Sequence, residues 1–261
     1  MLERPKISAY MLTRDNIRTV ENALRSIAWV DEIVVVDSGS ADGTLEIVRR
    51  HASRVIERPW PGFRDQYQFA ADACAHDWAL FIDADEVIPD ELAAEINERL
   101  TENAGRDNAS QTAGYIAPRR TWYIDRWIKY GAWKSDREVR LYKRSLGEWK
   151  GGLHACVHVD GPVETLRNAY QHYTYADVAD HVNTINRYST TGAEDMAAAG
   201  KTTSPGRAFW GGIGRFSRDY ILKRGFLDGF PGLIIAVGSA YNSFLKHAKL
   251  TELKLRQKKD S

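Results

Sequence analysis

Trp78-Ala79-Leu80-Phe81-Ile82-Asp83-Ala84-Asp85-Glu86 decides how this chain is read. Ala79–Ile82 is a short apolar run bounded by polar residues, which suits a buried strand. Three acids follow it. Side chains alternate along a strand, so Asp83 and Asp85 are expected to share a face if strand geometry continues through them. Like charges converging at a strand exit repel, and a hard divalent cation placed between them and a phosphate reverses that cost. The competing reading is a solvated acidic turn ahead of a helix whose first turn holds Pro89.

Upstream, Ile7–Leu12 reads as a first strand, Thr13-Arg14-Asp15-Asn16 as a polar turn, and Ile17–Ala28 as a helix by the spacing of Ile17, Val20, Ala23, Leu24 and Ile27. Ile33–Val36 is β-branched throughout, as buried parallel strands often are. It runs into Asp37-Ser38-Gly39-Ser40-Ala41-Asp42-Gly43-Thr44, where Asp42 or Thr44 can cap a helix to about residue 52. Val55–Ile56 and a helix over Arg64–Ala75 precede the acidic strand. Strand–helix alternation of this kind predicts an α/β fold, with a mostly parallel sheet and helices on both faces. Ligands of such sheets bind beyond the carboxyl ends of the strands. Thr13–Asp15, Asp37–Ser40 and Asp83–Glu86 are all expected at that edge.

Downstream, Pro89–Leu100 is a predicted helix, Thr101–Thr112 a surface loop, and Tyr115–Pro118 and Val139–Lys143 strands. Between those strands, Trp122–Trp133 is strongly aromatic, either a flat-ring surface for sugars or lipid headgroups or a roof over the core. Asp180–Met196 is expected to be helical and Gly200–Gly206 a loop. Phe209–Leu222 mixes aromatic and apolar residues with Arg215 and Arg218, Lys223 follows, then Phe226–Leu245 is apolar, and lysines with Arg256 come after it. That pattern fits a helical region lying on an anionic membrane surface, or one packed on the sheet or on a second subunit.

The chain has 261 residues, 43% hydrophobic and 27% charged, with formal net charge +1. That suits one large domain or one with an appendage, and the near-neutral charge argues against nucleic acid as a partner. Two cysteines build no disulfide or metal framework, so a reducing, cytoplasmic setting is expected. Met1–Lys6 is polar, so no signal peptide is expected. No apolar run reaches the ~18 residues of a spanning helix.

The Asp37–Thr44 stretch after a β-branched strand, together with Trp78–Glu86, resembles the family 2 glycosyltransferases of the GT-A fold. The branch it is most similar to is the bacterial lipopolysaccharide core β-1,4-glucosyltransferases. Gly62–Gln66, Asp136-Arg137-Glu138-Val139-Arg140-Leu141-Tyr142 and Lys223-Arg224-Gly225-Phe226-Leu227-Asp228-Gly229 extend the likeness over most of residues 5–250. Two positions depart from the pattern. His154 is followed by Ala155-Cys156 rather than glutamate, and Asp37 is followed by Ser38 rather than a second acid.

The resemblance implies a GT-A catalytic domain over 1–175, a Rossmann-like mixed sheet with helices on both faces, with a nucleotide-sugar half at 1–100 and an acceptor half at 113–175. A C-terminal helical region at 176–261 completes it. It implies inverting transfer from a nucleotide diphosphate sugar, UDP-glucose by default, to a saccharide or lipid-linked acceptor in envelope polysaccharide or lipopolysaccharide synthesis. Asp85 would hold Mg2+ or Mn2+, with Asp83 near the metal or the ribose. Asp37 and Ser38 would meet the base or ribose, and Thr13, Asp15 and Ala84 would line the same pocket. Arg64 would approach the diphosphate or the uracil side. Asp136 is the candidate base, with Glu138 two residues on. Trp133, Glu138, Arg140 and His154 are candidate acceptor contacts. The enzyme would be cytoplasmic, free or peripheral on the inner face of the membrane.

Two other classes compete. Asp83-Ala84-Asp85 also fits a haloacid dehalogenase-like phosphatase with Asp83 as nucleophile and Asp85 as acid. That signature normally ends the first strand, whereas here it ends the fourth. A non-catalytic sugar- or lipid-binding module on a transferase fold is the other.

Overall fold

The computed structural model describes residues 3–107, 110–134, 137–152 and 155–259. The chain divides into two compact units: Met1–Arg120 with Ser135–Tyr173, and Thr121–Lys134 with Thr174–Ser261.

In the first unit, β1 (Ile7–Thr13), β2 (Glu32–Asp37), β3 (Arg54–Glu57) and β4 (Trp78–Phe81) alternate with α1 (Val20–Ser26), α2 (Thr44–His51) and α3 (Phe63–Asp72). Next come β5 (Glu86–Val87), α4 (Asp90–Ala104) and β6 (Gly114–Tyr123), a strand that runs on past the unit boundary. The second unit's β7 (Arg126–Trp127) follows. The first unit closes with β8 (Arg137–Lys143), β9 (Gly147–Lys150), β10 (Cys156–Val159), β11 (Val163–Thr165) and β12 (Tyr170–His172). The sheet order is β3-β2-β1-β4-β8-β6-β12-β5. β1 to β4 are parallel neighbours, and β8 runs antiparallel to both β4 and β6. This is the expected mixed α/β sheet.

Strand periodicity explains why both faces are covered. Ile7, Ala9, Met11, Ile33, Val35, Trp78, Leu80 and Ile82 point into one core, shared with α1 and α4. Tyr10, Val34, Val36, Ala79 and Phe81 point into the other, against Tyr67, Ala70 and Ala71 of α3 and Trp149 of β9. A strand buried on both sides has no polar face, hence the unbroken apolar runs in the sequence. The second core contains an internal polar chain. Trp149 Nε1 donates to the Tyr10 hydroxyl at 2.9 Å, and that hydroxyl lies 2.8 Å from the Tyr142 hydroxyl.

Several boundaries differ from expectation. Helix α1 starts at Val20 rather than Ile17, because Asn16 and Ile17 are pulled into a loop network: their N–H groups donate to Thr44 Oγ1 and Asp42 Oδ2. The start of the Thr101–Thr112 loop is the last turn of α4. The strand carrying the acids ends at Phe81, before either aspartate.

The second unit holds α5 (Val178–Ala198), α6 (Pro205–Phe216), a π-helical turn at Ser217–Leu222, a 3-10 turn at Gly225–Asp228 and α7 (Gly229–Lys259). The aromatic segment 121–134 falls in this unit. Tyr123, Ile128 and Ile235 are its buried core, with Trp133 and Tyr175 packed against them. No helix among the described residues is long and apolar enough to cross a membrane.

Candidate functional site

Three loops leave the carboxyl ends of β1, β2 and β4. The first two are tied together. The Asp37 carboxylate is fully buried. It accepts hydrogen bonds from Thr13 Oγ1 at 2.8 Å, from the N–H groups of Gly39 and Ser40 at 3.0 and 2.8 Å, and from Ser40 Oγ at 2.5 Å. Asp15 takes a left-handed conformation, φ 54°. There its carboxylate accepts from Ala41 N–H at 2.8 Å while its own N–H donates to Ser40 Oγ. Asp37 therefore shapes the loop from within, and its four bonds engage both carboxylate oxygens. Ser38 Oγ accepts from Gln66 Nε2 at 3.0 Å, and Gln66 Oε1 accepts from Arg58 at 2.6 Å. Gln66 is a fully buried polar residue on α3. Arg64, at the exposed start of the same helix, pairs with its neighbour Asp65.

The third loop is a tight turn rather than a continued strand, so alternation does not place its two aspartates. Glu86 N–H donates to the Asp83 carbonyl at 3.0 Å, and Asp83 N–H donates to Glu86 Oε2 at 2.9 Å. Glu86 is itself held by Arg140, whose two terminal nitrogens meet its two oxygens at 2.9 and 3.0 Å. The Arg140 guanidinium lies between the rings of Phe81 and Tyr170, 4.5 and 4.3 Å from their centroids. It also donates to the Tyr170 hydroxyl and to Glu138. Arg140 is thus buried beneath the turn rather than open to an acceptor. Ala84 is buried in the first core.

Asp83 and Asp85 leave this turn toward different partners. Tyr67, stacked on Trp149 at 4.3 Å, donates its hydroxyl to Asp83 Oδ1 at 3.0 Å. The Asp83 side chain is 35% exposed. Surrounding protein, and then the Glu86 charge, push its carboxyl up to about 7, against the opposing pull of Arg140. Asp85 Oδ2 lies 3.2 Å from His172 Nε2, where β12 pairs with β5. Burial alone would lower the imidazole pKa, and the Asp85 carboxylate outweighs it and raises the value. His172 Nδ1 is buried without a hydrogen-bond partner.

The turn carries three carboxylates, of which Glu86 is bonded to Arg140 and Asp85 faces the His172 ring. Asp85 oxygen and His172 nitrogen form a facing pair of donor types that Mn2+ accepts. Among the described residues no group of three or more His, Cys, Asp or Glu side chains converges tightly enough to hold an ion unaided. The donor set fits a divalent cation whose remaining positions are filled by water and substrate oxygens.

The structure thus joins Thr13, Asp15, Asp37 and Ser38 in one network, and places Asp83, Ala84 and Asp85 on one turn with separate partners. Glu138 is half exposed and bonded to Arg140. Trp133 lies in the second unit, 5.1 Å from the Tyr123 ring and 5.3 Å from His181. Asp136 and His154 lie outside the described residues. Sequence reasoning missed Tyr67, Gln66, Glu86 as the closure of the turn, and His172. Gln66 and Tyr67 did carry a signal, since adjacent polar groups sit on a helix face that is otherwise alanine.

Residues 9–159 match the family model described as glycosyl transferase family 2. An uncharacterized glycosyltransferase of Rickettsia typhi is 31% identical over 97% of this chain and 89% of its own length. The lipopolysaccharide core biosynthesis glycosyltransferase LpsC of Rhizobium meliloti is 26% identical over 96% of this chain and 93% of its own. Among solved structures, S. aureus TarS 1-349 in complex with UDP-GlcNAc is 14% identical, covering 97% of this chain and 92% of that one, at a TM-score of 0.47.

Proposed function

This chain belongs to glycosyl transferase family 2, and from that membership we propose that it moves a sugar from a nucleotide diphosphate sugar to a saccharide or lipid-linked acceptor in cell-envelope polysaccharide synthesis. It is a glycosyltransferase, so the phosphatase reading of Asp83-Ala84-Asp85 is set aside. The observation that carries the donor assignment is the turn after β4, where Asp85 faces His172 while Glu86 and Arg140 brace it from below.

In this reading Asp85 and His172 would hold Mg2+ or Mn2+. The ion, when bound, supplies Lewis-acid neutralisation of the charge on the departing diphosphate. Every other task falls to the chain. Tyr67 fixes Asp83 through its hydroxyl, leaving the other carboxylate oxygen for the ribose or the ion. The buried Asp37 keeps the β1 and β2 loops in the shape that receives the nucleoside. It does so through the loop rather than by spare acceptor capacity, so backbone groups of residues 13–15 and 38–41 become the nucleoside contacts. Ala84 lines the pocket by its backbone, and Arg64 approaches the diphosphate or base from the start of α3. Inversion requires a base for the acceptor hydroxyl. Asp136 holds that role in this proposal. Glu138, whose carboxylate is bonded to Arg140 at 2.9 Å, is the alternative. Lipopolysaccharide as the end product is supported by the likeness to LpsC, and UDP-glucose is the first donor to test.

The test is calorimetric binding of UDP with and without Mn2+, on wild type, Asp85→Ala and His172→Ala. Metal-dependent binding that falls by an order of magnitude or more in both variants is expected. In Asp136→Asn, binding should persist while sugar transfer is lost. Absence of UDP binding in wild type overturns the uridine assignment. Metal-independent binding that both variants retain overturns the role of Asp85 and His172.

A further inference from the structure

Residues 205–230 of the second unit turn an unusual set of side chains outward. On α6, Ala208 and Gly212 are buried, while Phe209, Trp210 and Ile213 face away from them and are exposed. Beyond α6, five large apolar side chains are exposed within ten residues: Ile221, Leu222, Phe226, Leu227 and Phe230, with Leu222 at 76% and Phe230 at 71%. A soluble surface seldom gathers so many. Phe216 stacks on Tyr220, whose ring meets Phe226 edge-on, with centroids 5.2 and 6.2 Å apart, and the three link α6 to this tip.

The tip is braced from behind. Asp228 accepts the N–H groups of Lys129 and Tyr130, the latter at 2.7 Å, and Gly131 N–H donates to the Lys223 carbonyl at 3.0 Å. A Cβ at Gly232 would collide with the Gly225 carbonyl, so the turn is packed backbone against backbone. The apolar side chains are held outward by a packed turn, which distinguishes them from a loose loop sampling solvent.

The charges are sorted as well. The stretch carries five cations, Arg207, Arg215, Arg218, Lys223 and Arg224, all exposed, and two acids, Asp219 and Asp228, both buried. Arg215, Arg218 and Lys223 surround Asp219 at 2.6, 3.2 and 3.8 Å, three cations on one carboxylate. The outward face is therefore apolar and positive. A second copy of the chain would bring the same cations against themselves across a two-fold axis, a repulsive arrangement. No described helix can span a bilayer. An interfacial element needs an apolar face of shallow depth flanked by cations, and this tip has both.

We propose that the braced tip Ile221–Phe230, flanked by Arg218, Lys223 and Arg224, inserts into the interfacial layer of an anionic phospholipid bilayer and anchors the protein there. The proposal goes beyond the transfer reading and does not rest on it. The apolar side chains enter the boundary between headgroups and acyl chains, and the cations meet lipid phosphates.

Flotation of the full-length protein with phosphatidylcholine vesicles, and with vesicles in which roughly a third of the lipid is phosphatidylglycerol, tests it. Binding to the anionic vesicles is expected, with little to the neutral ones. It should weaken as salt rises past the screening range. The double variant Leu222→Glu/Phe230→Glu changes two exposed side chains and so leaves folding intact, as circular dichroism will verify. It should lose at least about tenfold in vesicle affinity. Arg224→Glu should lose affinity for anionic vesicles alone. The absence of wild-type binding overturns the proposal, as does binding that both variants retain. So does a concentration-dependent dimer, without lipid binding, that the double variant dissolves. A failed UDP titration leaves this result untouched, since flotation needs no nucleotide.

Discussion

At the scale of single residues, the carboxylates around the β4 turn differ in what they do because they differ in burial. Glu86 and Arg140 are both buried and bidentate, whereas Glu138 reaches Arg140 from a half-exposed position. Removing one partner of a buried pair leaves an uncompensated charge. Arg140→Ala should therefore cost about 3–5 kcal/mol of folding stability, and it should loosen the turn that sets Asp83 and Asp85. Glu138→Ala should cost about 0–1 kcal/mol, because its charge is solvated either way. Urea unfolding of both variants measures the difference, and equal midpoints would contradict the assignment of Glu86 as the turn's anchor. The sequence displayed Glu86 and Arg140 but not their pairing. They are 54 positions apart, and only the antiparallel return of β8 beside β4 brings them together. His172 was invisible for the same reason. One histidine in a short strand has no spacing that points to Asp85.

At the scale of elements, legibility followed burial. β1, β2 and β4 could be read because each is covered on both faces, leaving an apolar run that few other structures explain. α1 starts three residues later than its apolar spacing predicts because the loop network claims the N–H groups of Asn16 and Ile17. Trp122–Trp133 is expected as a flat-ring surface or a roof over the core, whereas its Tyr123 and Trp133 join Tyr175 in a small core that encloses His181 of α5. Tyr175 stacks on the imidazole at 4.5 Å and the Tyr123 hydroxyl lies 2.8 Å from Nδ1. A Cβ on Gly238 of α7 would come within 3.0 Å of the ring. Burial holds the His181 pKa below its usual value, against a smaller upward pull from Asp180. The sign follows from linkage. The unfolded chain binds the proton more readily, so the contribution of neutral His181 is complete above the unfolded value of about 6.5 and is lost as pH falls through the lower folded value. Wild type should lose thermal stability between pH of about 7 and about 5 more steeply than His181→Phe, which keeps the ring and cannot titrate. Parallel pH profiles for the two proteins would show that His181 does not titrate in that range.

At the scale of the whole molecule, chemistry and exposure are divided between the two units. The first unit carries the loops at the ends of β1, β2 and β4, built from acids, hydroxyls and backbone N–H groups. The second carries an apolar, positively charged tip. Composition could not reveal this, because a net charge of +1 averages an acidic edge and a basic one. Motif reading found the acidic edge, whose residues are close in sequence, and placed membrane character across a long C-terminal stretch. The anchor proposed above is confined to the turn between α6 and α7, where the exposed apolar side chains gather. Two ligands should therefore leave two separate footprints in amide exchange. UDP with Mn2+ should slow exchange at residues 13–16, 37–44, 83–87 and 170–173, since a ligand at these loops suppresses their local opening. Residues 221–230 should exchange as before. Anionic vesicles should give the opposite pattern, protecting 221–230 and leaving the β-strand loops unchanged. If nucleotide slows exchange at 221–230 without lipid, the tip answers to the donor, and the separation of roles argued from charge and burial is wrong. If vesicles protect the loops after β2 and β4 instead, those acidic loops and not the basic tip are meeting the membrane, against the charge complementarity that the side chains display.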